Sequence, residues 1–171
     1  MTAKKLLTVN EYCDIIVIDS DWNLSGATVM SNTLYIGFKG RNNSSAILVN
    51  SLSGQHSLLT NSYAGLKRDI DNLPADYDEV YLFGADKSLS DTFRIEKYAE
   101  KDGKQLSTIL DINELAERLS VSGIKSTISK KTSHYLCNEA YWHLIEKYQG
   151  RAVLIHIPTI KHFYNIAPLV F

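Results

Sequence analysis

Apolar and polar positions along this chain alternate between two periods. Val80-Tyr81-Leu82-Phe83 before Gly84, and Ala152-Val153-Leu154-Ile155 before His156, are unbroken apolar runs. Such runs belong to strands buried on both faces. Residues 13–18, rich in β-branched side chains, and residues 33–37 predict two further strands. Elsewhere apolar residues recur every three or four positions. Ala46, Val49 and Leu52 follow Ser44 and Ser45, either of which can cap their helix. Leu66, Ile70 and Leu73 mark a second helix, closed by Pro74. Asp111 with Glu114 three positions later reads as a capping box. Ile112, Leu115, Ala116 and Leu119 then share a face, and Gly123 ends the helix. Residues 126–129 form a short strand. A last helix begins near Cys137, carries Tyr141, Leu144, Ile145 and Tyr148 on its apolar side, and reaches Gly150.

Apolar strands alternating with amphipathic helices predict an α/β fold, a three-layer α/β/α arrangement around a largely parallel mixed sheet. The 171 residues suit one domain with a real core, residues 1–171 without an internal boundary. Ligands of such sheets gather at the carboxyl ends of the strands. Cys137 follows the strand ending near Ser129, and His156 ends its own strand, so both are expected on that edge.

Composition narrows the classes. Apolar residues make up 44% and charged residues 22%, with a formal net charge of −1. No global field therefore favours nucleic acid or an anionic membrane. The three lysines within residues 125–131 lack aromatic interleaving and read as a solvated loop. Two distant cysteines make no disulfide framework and fit a reducing compartment. Residues 15–18 are too short for a signal segment or a membrane span, and Asp14 and Asp19 flank them. A cytoplasmic location is the expectation.

The chemistry centres on Cys137 and His156. A helix start lowers a thiol pKa, and an adjacent imidazole completes activation of the nucleophile. Glu96 lies in an alternating segment, residues 93–98, sharing a face with Arg94 and Tyr98. Each residue also has a plain alternative: Cys137 as a small core side chain, His156 as a satisfied imidazole, Glu96 as a surface carboxylate beside an arginine. Cys13 reads as core. His134, three positions before Cys137, competes as the base. Asp111, Glu114 and Glu117 read as capping and a solvated face. His56, His143 and His162 are too scattered for a zinc pattern, and no phosphate loop is present.

Three stretches resemble the pyroglutamyl peptidase I (pyrrolidone-carboxylate peptidase) family of cysteine peptidases. They are Tyr135-Leu136-Cys137-Asn138, Leu154-Ile155-His156-Ile157-Pro158, and Arg94-Ile95-Glu96-Lys97-Tyr98-Ala99. A weaker match is Tyr35-Ile36-Gly37-Phe38 followed by Asn43-Ser44-Ser45. The resemblance implies a phosphorylase/hydrolase-like fold and Cys137, His156 and Glu96 as the catalytic trio. It implies Phe38, Arg41 and Tyr135 beside the substrate, a small peptide or acyl amide, and no metal or organic cofactor. Covalent acyl transfer through a thiolate–imidazolium pair follows, with Glu96 orienting His156 or accepting the acyl N–H. Partners in nucleic acid or membrane are not implied, and homo-oligomer formation stays open. The chain also departs from the family. Lys39, Arg41 and Asn42 stand where an apolar wall is expected, and the interval between Glu96 and Cys137 is short. Residues 1–32 form an N-terminal extension, whose Trp22 could refill the pocket. A related acyl group is the second substrate. A silent relative that binds a peptide or protein is the competing class.

Overall fold

The two long apolar runs lie side by side at the centre of one six-stranded sheet. The computed structural model describes residues 32–133 and 135–164, so the expected strand at 13–18, Trp22 and His134 lie outside the described residues. The elements in chain order are β1 (Thr33–Phe38), α1 (Ser44–Ser51), β2 (Gln55–Leu59), α2 (Tyr63–Asp71) and β3 (Glu79–Asp86). Then follow β4 (Phe93–Glu96), β5 (Tyr98–Lys101), β6 (Lys104–Ser107), α3 (Ile112–Val121) and β7 (Ser126–Ile128). The chain continues as α4 (Leu136–Lys147), β8 (Ala152–Pro158) and α5 (Ile160–Phe163). The sheet order is β2-β1-β3-β8-β4-β7, and β5 pairs with β6 as a separate ribbon. Strands β2, β1, β3 and β8 are parallel, whereas β4 and β7 run against them. The α/β class with a largely parallel mixed sheet is as the sequence predicts.

Strand parity sorts the core into two layers. Tyr35, Tyr81, Phe83, Phe93, Ile95, Val153, Ile155 and Ile157 pack on one face with Leu48 of α1, Leu115 of α3 and Phe163 of α5. Leu34, Ile36, Phe38, Val80, Leu82, Ala152 and Leu154 pack on the other face with Leu66 of α2 and Tyr141 and Leu144 of α4. Burying such side chains contributes about 1.5–3 kcal/mol each. The same parity has a consequence for polar residues. Gly84, Arg94, Glu96 and His156 all fall on the α4 face, because their strand neighbours fill the other.

Several local expectations need correction. Helix α1 is capped by Asn43, whose side chain accepts from the Ser45 N–H, not by Ser44 or Ser45. Those serines are buried instead. Ser44 Oγ donates to the Pro158 carbonyl at 2.7 Å, and Ser45 Oγ accepts from the Phe38 N–H at 3.0 Å. They tie the ends of β8 and β1 to the start of α1. Helix α2 stops at Asp71, short of Leu73. The alternation through residues 93–98 breaks at Lys97, so Tyr98 enters the ribbon and shares no strand with Arg94 and Glu96. The ribbon turns through Asp102 (φ 51°) and Gly103 (φ 73°), a two-residue turn whose positive dihedrals follow the strand twist.

The expected route of Cys137 to the sheet edge is also corrected. Strand β7 is antiparallel to β8, so its carboxyl end does not share the carboxyl edge of β8. Cys137 reaches that edge because α4 packs back along β8 and begins where β8 ends.

Candidate active site

His156 sits between two very different neighbours. On one side, in the parallel pairing, is Gly84; on the other, in the antiparallel pairing, is Arg94. Gly84 leaves a hole in the α4 face, and Cys137 fills it. A Cβ placed on Gly84 would lie 2.8 Å from Cys137 Sγ and 3.2 Å from His156 Cδ2. Thiol and imidazole thus converge above one glycine, and only a residue without a side chain permits the approach.

The far side of the imidazole is fixed by a chain of polar groups. His156 Nδ1 lies 2.8 Å from Glu96 Oε1, with His156 4% and Glu96 1% exposed. Nδ1 therefore carries the proton and donates it to the carboxylate, which leaves Nε2 as the acceptor. Arg94 Nε donates to the same Glu96 oxygen at 2.8 Å, and Arg94 Nη2 donates to Asp86 Oδ2 at 2.6 Å. Arg94 Nη2 also lies 3.4 Å from Nδ1, but with Nδ1 protonated both are donors and form no bond with each other. Glu96 Oε2 is buried and makes no hydrogen bond within the described residues, although Ser129 is near enough to favour its charged form.

Charge states follow from these contacts. Burial pushes the Glu96 carboxyl up, but His156, Ser129 and Arg94 outweigh it and hold it below the usual range. Burial likewise works against Asp86. Its bonds from the Ser88 hydroxyl and N–H, and from Arg94, overcome that and bring it to about 2. Cys137 goes the other way. Burial and the nearby Asp86 carboxylate push the thiol to about 12; its own backbone N–H opposes this and Glu96 adds to it. This shift runs opposite to the acidification expected from the helix start. A start-of-helix field is a fraction of one charge, and burial with two carboxylates acts against it.

Helix α4 is held in place by its own first turns. The Asn138 side chain accepts from the Glu100 N–H at 2.9 Å and donates to the Glu100 carbonyl at 2.6 Å. It pairs with β5 as a strand would. One turn on, Tyr141 Oη donates to the Glu96 carbonyl at 3.0 Å, tying the helix to the strand bearing the carboxylate. Tyr135, the N-cap of α4, makes no side-chain cap, leaving the first-turn N–H groups uncapped by it.

Cys137, His156 and Glu96 are thus brought together. Phe38 is 2% exposed and faces α4 from β1, two residues beyond the pairing of Ile36 with Leu82 and so level with Gly84. Arg41 is exposed in the turn between β1 and α1, and Tyr135 is 80% exposed beside the helix start. Sequence reasoning missed Gly84, Asp86 and the role of Asn138, and it left Arg94 as a surface partner. The lone glycine inside a strand pattern was a readable sign of close approach. Asp86 carried no local signal, since only the antiparallel β4 brings Arg94 to it.

No family model matches the chain. Rat (Rattus norvegicus) pyroglutamyl-peptidase 1 is 28% identical over 68 residues, 38% of this chain and 32% of that protein. The match thus spans about a third of the rat enzyme's length. Among solved structures, pyrrolidone carboxyl peptidase from Thermus thermophilus superposes with a TM-score of 0.65 at 15% identity, covering 81% of this chain and 97% of that one. Bacillus amyloliquefaciens pyroglutamyl peptidase I gives 0.64 at 15% identity over 82% and 94%. The Thermococcus litoralis enzyme gives 0.61 at 18% identity over 82% and 91%. The chain has the fold of these proteins.

Proposed function

We propose that this chain, built on the pyrrolidone carboxyl peptidase fold, is a cysteine peptidase that removes an N-terminal pyroglutamyl or related small acyl group. The observation that carries the reading is the approach of Cys137 Sγ and the His156 ring to one point above Gly84, with Glu96 on Nδ1. In the reaction, Sγ bonds to the amide carbonyl carbon as His156 Nε2 takes the thiol proton. The C–N bond then breaks, and the same proton passes to the departing amine. Glu96 stabilises the imidazolium formed in between. The N–H groups at the start of α4 face the carbonyl oxygen as it becomes anionic. Water, activated by Nε2, then hydrolyses the thioester and releases the acid. A thiol raised to about 12 fits general-base attack better than a standing thiolate–imidazolium pair.

Phe38 supplies one apolar wall for the acyl group. Arg41 offers a donor where the resembling family has an apolar residue, so pyroglutamyl amides are weak substrates and an acyl group with an acceptor is preferred. Losing an aromatic wall costs about 1–3 kcal/mol in the transition state. A nucleophilic thiol also suits a reducing compartment such as the cytoplasm. The raised thiol favours one second reading, a silent relative that binds a peptide without cleaving it. Fluorogenic pyroglutamyl and aminoacyl amides separate the two. Hydrolysis that vanishes in Cys137→Ala supports the peptidase; no hydrolysis of any acyl amide by the wild type leaves the binding module.

A further inference from the structure

Loop residues 129–133 and Arg94 enclose an open cleft of about 360 Å3 on the α4 face, lined by Arg94, Ser129, Lys130, Lys131, Thr132 and Ser133. Its position in the sheet gives it a role. Across the strands the order is Phe38 on β1, Gly84 under Cys137 on β3, His156 on β8 and Arg94 on β4, with the loop after β7 beyond. A carbonyl attacked above β3 must place its departing nitrogen at His156, which protonates it. The acyl group then lies toward β1, and the departing residue toward β4 and the cleft.

The charge of the cleft is specific. The Arg94 guanidinium is committed to Asp86 and Glu96. Lys130 and Lys131 are exposed and have no carboxylate within ion-pair distance among the described residues. The Thr132 hydroxyl is occupied at the back, donating to Glu100 Oε2 at 2.9 Å. Ser133 Oγ is buried and without a hydrogen-bond partner among the described residues, so it can still donate. Two unneutralised ammonium groups and an unmet hydroxyl suit a carboxylate.

We infer that this cleft receives the residue released from the substrate and selects for a carboxylate in it, either its side chain or the α-carboxylate of a dipeptide. The inference rests on the peptidase reading for its direction across the site. The test uses pyroglutamyl-Glu-amide, pyroglutamyl-Ala with a free carboxylate, and pyroglutamyl-Ala-amide. The expected result is about tenfold higher kcat/KM for at least one acidic peptide over the neutral one, shrinking at high salt. Which acidic peptide gains separates side-chain from α-carboxylate recognition. The double variant Lys130→Glu/Lys131→Glu, both exposed, should abolish the preference, read as the ratio of kcat/KM for each acidic peptide to that for pyroglutamyl-Ala-amide in the same protein. Equal turnover of all three peptides, or a preference that survives the double variant, overturns the inference. Should no peptide be hydrolysed, the peptidase reading fails by itself. Calorimetry with Cys137→Ala then decides the cleft: tighter binding of an acidic peptide, lost in the double variant, supports it, and equal or absent binding overturns it.

Discussion

At the scale of single residues, the site depends on an atom that is missing. Gly84 gives the thiol its place, and a methyl there would press on Sγ at 2.8 Å and on the imidazole edge at 3.2 Å. Gly84→Ala should keep the fold and lower kcat/KM about 100-fold or more, since a displacement near 1 Å at a reacting group has that effect. Unchanged kinetics would show that the thiol is not held against β3. Cys137 itself should titrate late. With its thiol near 12, iodoacetamide alkylation at pH 7 should be slower than that of free cysteine and should climb into the alkaline range. Asp86→Asn removes a negative charge that disfavours the thiolate. It should therefore speed alkylation at a given pH, about tenfold for each unit the thiol pKa falls. A rate profile titrating near pH 7 in the wild type would contradict this account.

At the scale of elements, α4 is the positioning device. It runs back along β8, so its first turn lies over the strand end that carries His156. Two bonds from Asn138 to the Glu100 backbone hold that turn against β5. Asn138→Ala would strip partners from a backbone N–H and a carbonyl at once. The expected loss is about 1–3 kcal/mol, seen as a drop of several degrees in Tm, with a parallel fall in turnover. Full activity in a destabilised Asn138→Ala would mean that Cys137 is positioned without this anchor. Helix α1 plays a different part, since Asn43, Ser44 and Ser45 bind the ends of β1 and β8 together. Resemblance to a family motif brought this trio forward, and its hydrogen bonds make it structural.

At the scale of the molecule, a partly buried polar cluster of Asp86, Arg94, Glu96 and His156 spans β3, β4 and β8. Asp86 is brought to about 2 and Glu96 lies below its usual range, so both are more acidic folded than unfolded. Their stabilising contribution is complete above the ordinary carboxylate pKa of about 4 and is lost as pH falls toward 2. Thermal unfolding followed from pH 6 to pH 2 should show Tm falling steeply below pH 4. In Asp86→Asn that part of the curve should flatten, because one of the two linked carboxylates is gone. An identical slope in both proteins would remove Asp86 from the linkage.

The strands at 33–38, 79–86 and 152–158, the capped helix at 112–121 and the helix bearing Cys137 were all legible in the chain, because apolar spacing reports local periodicity directly. So were Cys137, His156 and Glu96 as candidates, through short contiguous motifs. Strand β2 was not, since its exposed Gln55 and His56 hide the pattern. The ribbon of β5 and β6 went unread despite the turn signal in Asp102-Gly103. Strand direction was decided only by tertiary pairing: nothing local in residues 93–96 says that β4 runs against β8, yet that reversal sets Arg94 opposite His156. It also brings Arg94 to Asp86, while the upward shift of Cys137 comes first from its burial and then from the Asp86 carboxylate. The sequence by itself determined which residues could do chemistry, because side-chain type and period are local. The tertiary structure decided their protonation and their neighbours, because burial and charge act through space between segments far apart in the chain.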